Sequence, residues 1–595
     1  MSADGSQRSH ANGSNEWIEA PADNVGDALI ASLQAGGIDH LFFTSGSEIG
    51  FYQEATAKAR AMGHNKPIRL ITVPHEHASL NAALGFAAVS GRPAITAAHV
   101  DCGTQHYGGA VHTAWRSGLP VVITAGFPPT AYAGSQKGGR DEGGHLWMQE
   151  TYDQHGIVRN YTKWDHKLTS QDNPGMVMSR AIQVARTEPC GPVYLTFPKE
   201  LTFVPLKGAK FPSADQLGIP RPTAPESEAA REIAERLVRA KNPVVVVSHS
   251  GRNPATVPAL IELAELLGLA VTDGVQRAYL SFPMRHPLAQ AQPVLNDADA
   301  VLVLDSEVPW VPGRNAPPAS AYIASVGQDS IKLRIPTYEF TSDVRITADP
   351  LLTIRAIADA ARGMLKPEDK SRIAERTKRL AGASKARNDA VDKEAVDASK
   401  RTPIAPIWLT HQVAKLIDET PNALVLDETL PGPRTRDFLG VSRPGSYFGN
   451  PGSSGGWSPG AALGAKIAAP DRDVIAITGD GFYMFGTPAP ALWAGAHYGA
   501  PFMMVVYTNR SYSTGTSRVA AAYGPDSHAK RSNFEGGYFD PPIDFAKEAE
   551  AAGGYGETVR DPAEIMPALK RGLAQTRNGK PAVISVWLKR LEGED

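Results

Sequence analysis

The chain has 595 residues, of which 42% are hydrophobic and 21% are charged. That length suits about three domains, and the composition is typical of a globular protein with large buried cores. Its 60 basic and 62 acidic residues leave a net charge of −2, which gives no electrostatic reason for binding nucleic acid or an anionic membrane.

Cysteine usage and the first residues narrow the class of protein further. Cys102 and Cys190 are the only cysteines, which excludes a disulfide framework and a cysteine-rich metal site. Residues 1–20 are polar and lack the hydrophobic core of a signal peptide. No apolar run reaches the roughly 20 residues that span a bilayer. We therefore expect a cytoplasmic protein with a disordered tail over residues 1–20.

Apolar β-branched runs alternate with helical patterns, which predicts parallel α/β sheets. The first predicted domain covers residues 21–202, and it includes a helix over Glu76–Val89. Its predicted strands lie at 41–43, 68–73, 94–97, 121–124 and 192–197. Residues 203–225 are rich in Pro, Lys and Ser, and this composition predicts a linker.

Two further α/β segments complete the predicted architecture. The middle domain covers residues 226–365, with strands at 243–248, 270–272 and 300–304. Residues 366–402 are charged and rich in Ala, which predicts an exposed helical connector. The last domain covers residues 403–595, with strands at 423–426, 473–478, 502–508 and 582–586. The sequence thus predicts three doubly wound parallel-sheet domains.

The most informative motif is Gly479-Asp480-Gly481, which follows one predicted strand, while Asn509 closes the next. The 27 positions between Gly481 and Asn509 fit a turn, a helix and a second strand. This spacing brings a carboxylate, an amide and the backbone carbonyl of Ser511 to one edge of a sheet. Mg²⁺ prefers such oxygen ligands together with phosphate oxygens. Gly481 allows close approach of a diphosphate, although Gly-Asp-Gly also occurs as an ordinary strand-to-helix turn.

Further stretches carry a resemblance to a known family. They are Pro74–Ala87, which begins Pro-His-Glu-His, together with Thr113–Gly126 and Gly191–Leu195. With the Gly-Asp-Gly unit they make the chain similar to enzymes that use thiamine diphosphate (ThDP) and Mg²⁺. Among these it is most like the benzoylformate decarboxylase and acetolactate synthase-like proteins. The resemblance implies that the three domains are a pyrimidine-binding, a middle and a diphosphate-binding domain.

The resemblance also implies roles for individual residues. Glu76 matches the glutamate that activates the cofactor by exchanging a proton with its aminopyrimidine ring. His99 matches a histidine that handles protons above the thiazolium, and Ser47 matches a serine that holds the substrate carboxylate. Each residue also has an ordinary structural interpretation. Glu76 could be a charge that stabilises the start of a helix, His99 a histidine at the end of a strand and Ser47 a serine in a turn.

Asp480, Asn509 and Ser511 would hold the metal. The expected cofactor contacts come from Thr429, Gly456, Trp457, Gly479, Gly481, Phe482 and Met484. Glu76 would act on a cofactor held by a partner subunit, which implies a dimer or tetramer.

Two positions depart from the family pattern. Gly455 stands where these enzymes carry a bulky apolar side chain that keeps ThDP bent, so another side chain, such as Trp457 or Met484, would have to take that role. Trp310 and nearby prolines stand where benzoylformate decarboxylase has a second catalytic histidine.

The leading hypothesis is a ThDP- and Mg²⁺-dependent lyase that decarboxylates a 2-oxo acid to an aldehyde or an acyloin. The alternatives are an acetolactate synthase-like carboligase, a 2-hydroxyacyl-CoA lyase and, more remotely, an inactive regulatory subunit. We expect no FAD, because the segment between Arg277 and Val301 is short. The sequence does not identify the substrate.

Overall fold

The structure, a computed structural model, describes residues 15–63, 67–132, 134–275, 278–429 and 434–590. Within these residues the chain forms three parallel sheets of six, five and six strands, flanked by helices. This confirms the predicted α/β architecture of three doubly wound sheets. No helix in the described part of the chain is both long and apolar enough to cross a membrane.

The first domain is built on a six-stranded sheet. The strands of this part of the chain are β1 (Ile18–Ala20), β2 (His40–Phe43), β3 (Arg69–Thr72), β4 (Ala94–Ala98), β5 (Val121–Phe127), β6 (Asp165–Lys167), β7 (Val193–Pro198) and β8 (Ala209–Phe211). Its helices are α1 (Val25–Ala35), α2 (Phe51–Ala61), α3 (Glu76–Ser90), α4 (Asp101–His106), α5 (Gly109–Ser117), α6 (His145–Met148), α7 (Pro174–Arg186), α8 (Lys199–Thr202) and α9 (Ala214–Leu217). The sheet order is β3-β2-β4-β5-β7-β6, and all its pairs are parallel.

Two segments outside the predicted bounds of this domain pack onto it. Strand β1 lies in the predicted tail and β8 in the predicted linker, and the two pair antiparallel. Phe211 of β8 is fully buried, and its ring lies against Gly175 of α7. Burial of this aromatic side chain stabilises the docked position, which the polar composition around it did not reveal.

The middle domain is a five-stranded sheet in the order β10-β9-β11-β12-β13. Its strands are β9 (Pro243–Val247), β10 (Ala270–Asp273), β11 (Ala300–Leu304), β12 (Tyr322–Gly327) and β13 (Val344–Thr347). Its helices are α10 (Ser227–Arg239), α11 (Thr256–Leu267) and α12 (Pro350–Met364). The connector is one helix, α13 (Pro367–Asp397). It runs along the middle domain, where buried Arg376 donates to the carbonyl oxygens of Gly268 and Ala240, both at 2.8 Å.

The last domain is a six-stranded sheet in the order β15-β14-β16-β17-β19-β18. Its strands are β14 (Ala423–Glu428), β15 (Tyr447–Gly449), β16 (Asp473–Gly479), β17 (Met503–Thr508), β18 (Tyr555–Val559) and β19 (Ala582–Trp587). Its helices are α14 (Pro406–Asp418), α15 (Thr435–Phe438), α16 (Trp457–Ala468), α17 (Asp480–Phe485), α18 (Pro488–His497), α19 (Ser513–Tyr523), α20 (His528–Arg531), α21 (Phe545–Ala551) and α22 (Ile565–Arg577). The chain reverses its winding between β14 and β16, and ligands of open α/β sheets bind at such points.

Helices α3 and α16 join the first and last domains through a contact between their backbones. A Cβ atom added at Gly464 would overlap the carbonyl oxygen of Ala82, and one at Gly85 would overlap that of Ala461. At the start of the two helices, Nε2 of His77 lies 3.2 Å from the carbonyl oxygen of Gly456. Glycine is therefore required where the helices cross, because only the absence of a side chain permits this separation.

We predict that Gly464→Ala destabilises the protein by roughly 1–3 kcal/mol, because the added methyl group forces two packed backbones apart. The free energy or midpoint of unfolding measures this. The matched control is Gly382→Ala in α13, where an added Cβ meets no heavy atom within 4 Å. That change should be neutral or stabilising by up to about 1 kcal/mol. Equal unfolding midpoints for the two variants would contradict the proposed contact.

Candidate active site

The carboxyl edge of the first sheet collects three ionisable side chains. Glu48 follows β2 in the 3-10 turn Ser47–Ile49, Glu76 follows β3, and His99 follows β4. The sheet order places β3, β2 and β4 side by side, so the three loops lie together. Sequence reasoning singled out Glu76 and His99 but missed Glu48, although it also lies in the loop that follows a strand.

Glu76 is the first residue of α3, and it is only 6% exposed. Its Oε2 lies 3.3 Å from Nδ1 of His106, whose ring stacks on His75 at 5.6 Å between centroids. A Cβ at Gly103 would lie 3.0 Å from Oε1 of Glu76 and 3.3 Å from Cβ of His99. Glu76 and His99 therefore flank the same small glycine and line one region of the domain.

His99 is held by two neighbours. Its Nδ1 lies 2.6 Å from Oε2 of Glu48, and its Nε2 lies 3.1 Å from the side-chain nitrogen of Gln149. The hydroxyl of Ser47 donates to the Glu48 carboxylate at 3.0 Å. Burial works to raise the pKa of the Glu48 carboxyl, but His99 and Ser47 outweigh it, so the pKa lies below its ordinary value. A carboxylate at Nδ1 places the ring proton there and fixes the imidazole orientation.

The carboxyl edge of the last sheet brings together the predicted metal ligands. Asp480 begins α17 directly after β16, and Asn509 follows β17. The register pairs Gly479 with Tyr507, so Asp480 lies beside the loop that starts at Asn509. The backbone N–H of Arg510 donates to Oδ2 of Asp480.

Asp480 is 2% exposed, and burial raises the pKa of its carboxyl to about 6, even though backbone N–H groups of Arg510 and Gly481 lower it. Oδ1 of Asn509 accepts from the backbone N–H of Ser511 at 3.0 Å and from its hydroxyl at 2.9 Å. These two residues thus form a tight turn next to a buried carboxylate. The resulting set of oxygens suits a hard divalent cation.

The start of α16 is fixed by a buried carboxylate that sequence reasoning missed. Oε1 of Glu428 accepts from the backbone N–H groups of Gly456 and Trp457, both at 2.9 Å, and Oε2 accepts from that of Ser458 at 2.9 Å. Burial raises the pKa of the Glu428 carboxyl, while these N–H donors and Asn450 lower it. The position of Glu428 at the end of β14 was the available sequence signal.

The remaining predicted cofactor contacts fall into two groups. Thr429 and Phe482 line a cavity of about 370 Å³ together with Glu428 and Asn450. A Cβ atom added at Gly479 would meet no heavy atom within 4 Å, and one added at Gly481 would meet only aromatic atoms, at 3.4 Å or more. By contrast, Trp457 is 3% exposed in the hydrophobic core, and Met484 packs against the same core.

In the residues that the structure describes, no group of three or more His, Cys, Asp or Glu side chains could hold a metal ion. A cation at Asp480 would therefore need amide, carbonyl or ligand oxygens in addition to that carboxylate. This is the usual situation of Mg²⁺, which is held by one or two carboxylates and by phosphate oxygens.

Two family models match the chain. Residues 23–157 match the thiamine pyrophosphate enzyme, N-terminal TPP binding domain, and residues 434–586 match the thiamine pyrophosphate enzyme, C-terminal TPP binding domain. The first range contains Glu48, Glu76 and His99, and the second contains Asp480 and Asn509. The two clusters therefore lie in the two matched domains.

Curated relatives match over most of their length. Benzoylformate decarboxylase of Pseudomonas aeruginosa is 27% identical, and the match covers 88% of this chain and 92% of the relative. Sulfoacetaldehyde acetyltransferase of Rhodobacter capsulatus is 26% identical over 96% of this chain and 95% of the relative. A probable acetolactate synthase of Mycobacterium bovis is 25% identical over 96% of this chain and 97% of the relative.

Solved structures share the fold. The thiamine diphosphate-dependent 4-hydroxybenzoylformate decarboxylase of Rhodococcus jostii superposes with a TM-score of 0.73 at 22% identity, covering 96% of this chain and all of that chain. Benzoylformate decarboxylase of Polynucleobacter necessarius superposes with a TM-score of 0.74 at 17% identity and the same coverage. The matched domains and these relatives confirm the resemblance found in the sequence, and the chain belongs to the thiamine diphosphate-dependent enzymes.

Proposed function

We propose that this protein is a ThDP- and Mg²⁺-dependent lyase that decarboxylates a 2-oxo acid and releases an aldehyde or an acyloin. The observation that carries the proposal is the division of the polar residues between two sheet edges. One edge carries Glu76 and His99, which suit proton transfer, and the other carries Asp480 and Asn509, which suit a metal and a diphosphate. Relatives that decarboxylate 2-oxo acids such as benzoylformate support this choice of reaction.

The residues at the second edge fit the cofactor. Asp480, Asn509 and the carbonyl of Ser511 would supply three oxygens to Mg²⁺, and a cation would offset the desolvation that raises the pKa of Asp480. The open space beside Gly479 leaves the backbone accessible to a diphosphate. When bound, ThDP would supply a nucleophilic carbon for the substrate carbonyl and a cationic ring that accepts the electron pair left behind by CO₂.

Glu76 would exchange a proton with the aminopyrimidine ring of the cofactor. We further propose that this cofactor is held by a second copy of the chain, so that the working unit is at least a dimer. His106, which contacts Glu76, has a side chain that is 63% exposed and lies at the surface that would meet the partner.

His99 would move protons at the reacting carbon. Glu48 holds the imidazole through Nδ1, and Nε2, which contacts Gln149 in this structure, would accept a proton or return it once that contact opens. Ser47 is exposed beside this pair, and its hydroxyl, which donates to Glu48 in this structure, would have to turn away from that carboxylate to bind the substrate carboxylate. In this arrangement Glu48 orients the histidine and does not itself touch the substrate.

The test of the proposed reaction is CO₂ release by the protein reconstituted with ThDP and Mg²⁺. Benzoylformate, pyruvate and branched 2-oxo acids are offered in parallel, and the products are identified by mass. Release of CO₂ with an aldehyde or acyloin product supports a decarboxylase. Cofactor binding without CO₂ release from any of them would overturn the proposal in favour of a lyase that does not decarboxylate.

Glu76→Gln should lower turnover by roughly 10²–10⁴, the usual contribution of a positioned acid or base. ThDP affinity should change little, because the amide keeps the size of the carboxyl group. Glu54→Gln, at an exposed position of the same domain, is the control and should keep full turnover. Steady-state kinetics and ThDP titration measure the two quantities, and turnover of Glu76→Gln within a few-fold of the native enzyme would remove Glu76 from the mechanism.

Asp480→Ala should abolish the dependence of ThDP binding on Mg²⁺, because the variant lacks the only carboxylate of the proposed metal site. Calorimetric titration of ThDP with and without Mg²⁺ measures this directly. The control is Asp526→Ala, at an exposed position of the same domain. If Mg²⁺ still strengthens ThDP binding to Asp480→Ala as much as to the native protein, the metal lies elsewhere.

Glu48→Gln should destabilise the protein in a pH-dependent way. The pKa of Glu48 in the folded protein lies below its ordinary value of 4.5, so its stabilising effect is complete above that pH. The effect is lost as the pH falls through the folded-state pKa. The difference in unfolding midpoint between the native protein and Glu48→Gln should therefore shrink as the pH is lowered below 4.5. A difference that stays constant or grows would contradict the Glu48–His99 contact.

A further inference from the structure

Gly455 and Phe482 occupy complementary positions beside the cavity that Phe482 lines. A Cβ atom at Gly455 would overlap Cδ1 of the Phe482 ring and lie 2.7 Å from its Cε1. The two residues belong to different elements, since Gly455 precedes α16 and Phe482 lies in α17. The space beside Gly455 is therefore filled by the Phe482 side chain of α17, and the segment before α16 contributes no side chain to it.

The backbone beside Gly455 is held firmly in place. Glu428 binds the N–H groups of the three following residues, Gly456 to Ser458. Gly456 has a φ of 95°, and an added Cβ there would lie 2.5 Å from the backbone nitrogen of Gly486 at the end of α17. Because the two backbones already lie this close at Gly456 and Gly486, a side chain at position 455 would displace the Phe482 ring.

Phe482 also borders a cavity and lies close in the chain to the proposed metal ligand Asp480. It lines the same cavity as Thr429 and Asn450, and only Gly481 separates it from Asp480. Its ring is half-buried, so one side packs on the start of α16 and the other borders the cavity. The sequence suggested Trp457 and Met484 as the side chains that keep ThDP bent in place of Gly455. Both instead contact the hydrophobic core.

We propose that Phe482 is the side chain that supports bound ThDP from below and takes the place of the bulk that Gly455 lacks. This inference rests on the proposed function, because it concerns how that cofactor is held. ThDP has two rings joined by one methylene, and exchange of the C2 proton requires the amino group of one ring to lie near C2 of the other. A ring fixed at position 482 would limit the ways in which the two cofactor rings can rotate.

The test is a four-protein cycle with ThDP and Mg²⁺: the native protein, Phe482→Ala, Gly455→Leu and the double variant. The readouts are ThDP affinity and the rate at which C2 of bound ThDP exchanges its proton for deuterium. Phe482→Ala should slow this exchange about 10- to 100-fold, a typical penalty for a misplaced reacting group. Its ThDP affinity should fall much less. The double variant should recover exchange to within a few-fold of the native rate, since the introduced leucine side chain would then fill the vacated volume.

Phe485→Ala is the control, because Phe485 lies in the same helix but is 54% exposed and stacks on Tyr512. It should leave C2 exchange unchanged. The unfolding midpoint without cofactor gives a second measurement: Gly455→Ala should lower it in the native background but not in Phe482→Ala. Native C2 exchange in Phe482→Ala, or no recovery in the double variant, overturns the inference while leaving the proposed function intact. Absence of ThDP binding by the native protein would overturn both.

Discussion

The contact between α3 and α16 is the constraint on which the arrangement of this enzyme depends. The two helices come from different domains, and they approach so closely that Gly85 and Gly464 leave no room for a side chain. Each helix begins at a polar cluster, α3 at Glu76 and α16 at the N–H groups bound by Glu428. Their close packing therefore fixes the two sheet edges with respect to each other. Non-polar packing of this density resists small displacements, so it suits residues that must be positioned accurately.

Buried carboxylates set the local geometry at both edges. Glu428 satisfies three backbone N–H groups that the start of a helix would otherwise leave without partners. Glu48 pairs with His99, and its pKa falls, whereas burial raises the pKa of Asp480 to about 6. The difference has a simple cause: Glu48 has an imidazole beside it, whereas the groups that lower the pKa of Asp480 in the described part of the chain are backbone N–H groups. A buried carboxylate in surroundings like those of Asp480 is stabilised most by a bound cation.

Strand and helix patterns predicted the three sheets, since buried parallel strands such as Asp473–Gly479 are continuous apolar runs. The Asp480–Asn509 spacing likewise predicted which residues meet at one edge. Contacts between distant segments could not be predicted in the same way. Glu48 was missed because its partner His99 lies 51 positions away, and the overlap of Phe482 with Gly455 depends on how two helices cross. The strand Ala209–Phe211 lies in a segment whose composition predicts a linker, because three residues carry no periodicity of their own.

An experimental structure with Mg²⁺ and ThDP would show whether sheet edges from two copies of the chain serve one cofactor. We expect the cation between Asp480 and Asn509, with the diphosphate beside Gly479. We also expect the Glu76 carboxyl of a second copy within hydrogen-bond distance of the aminopyrimidine ring. A cofactor bound away from Asp480, or an aminopyrimidine ring out of reach of Glu76 from either copy, would contradict this arrangement.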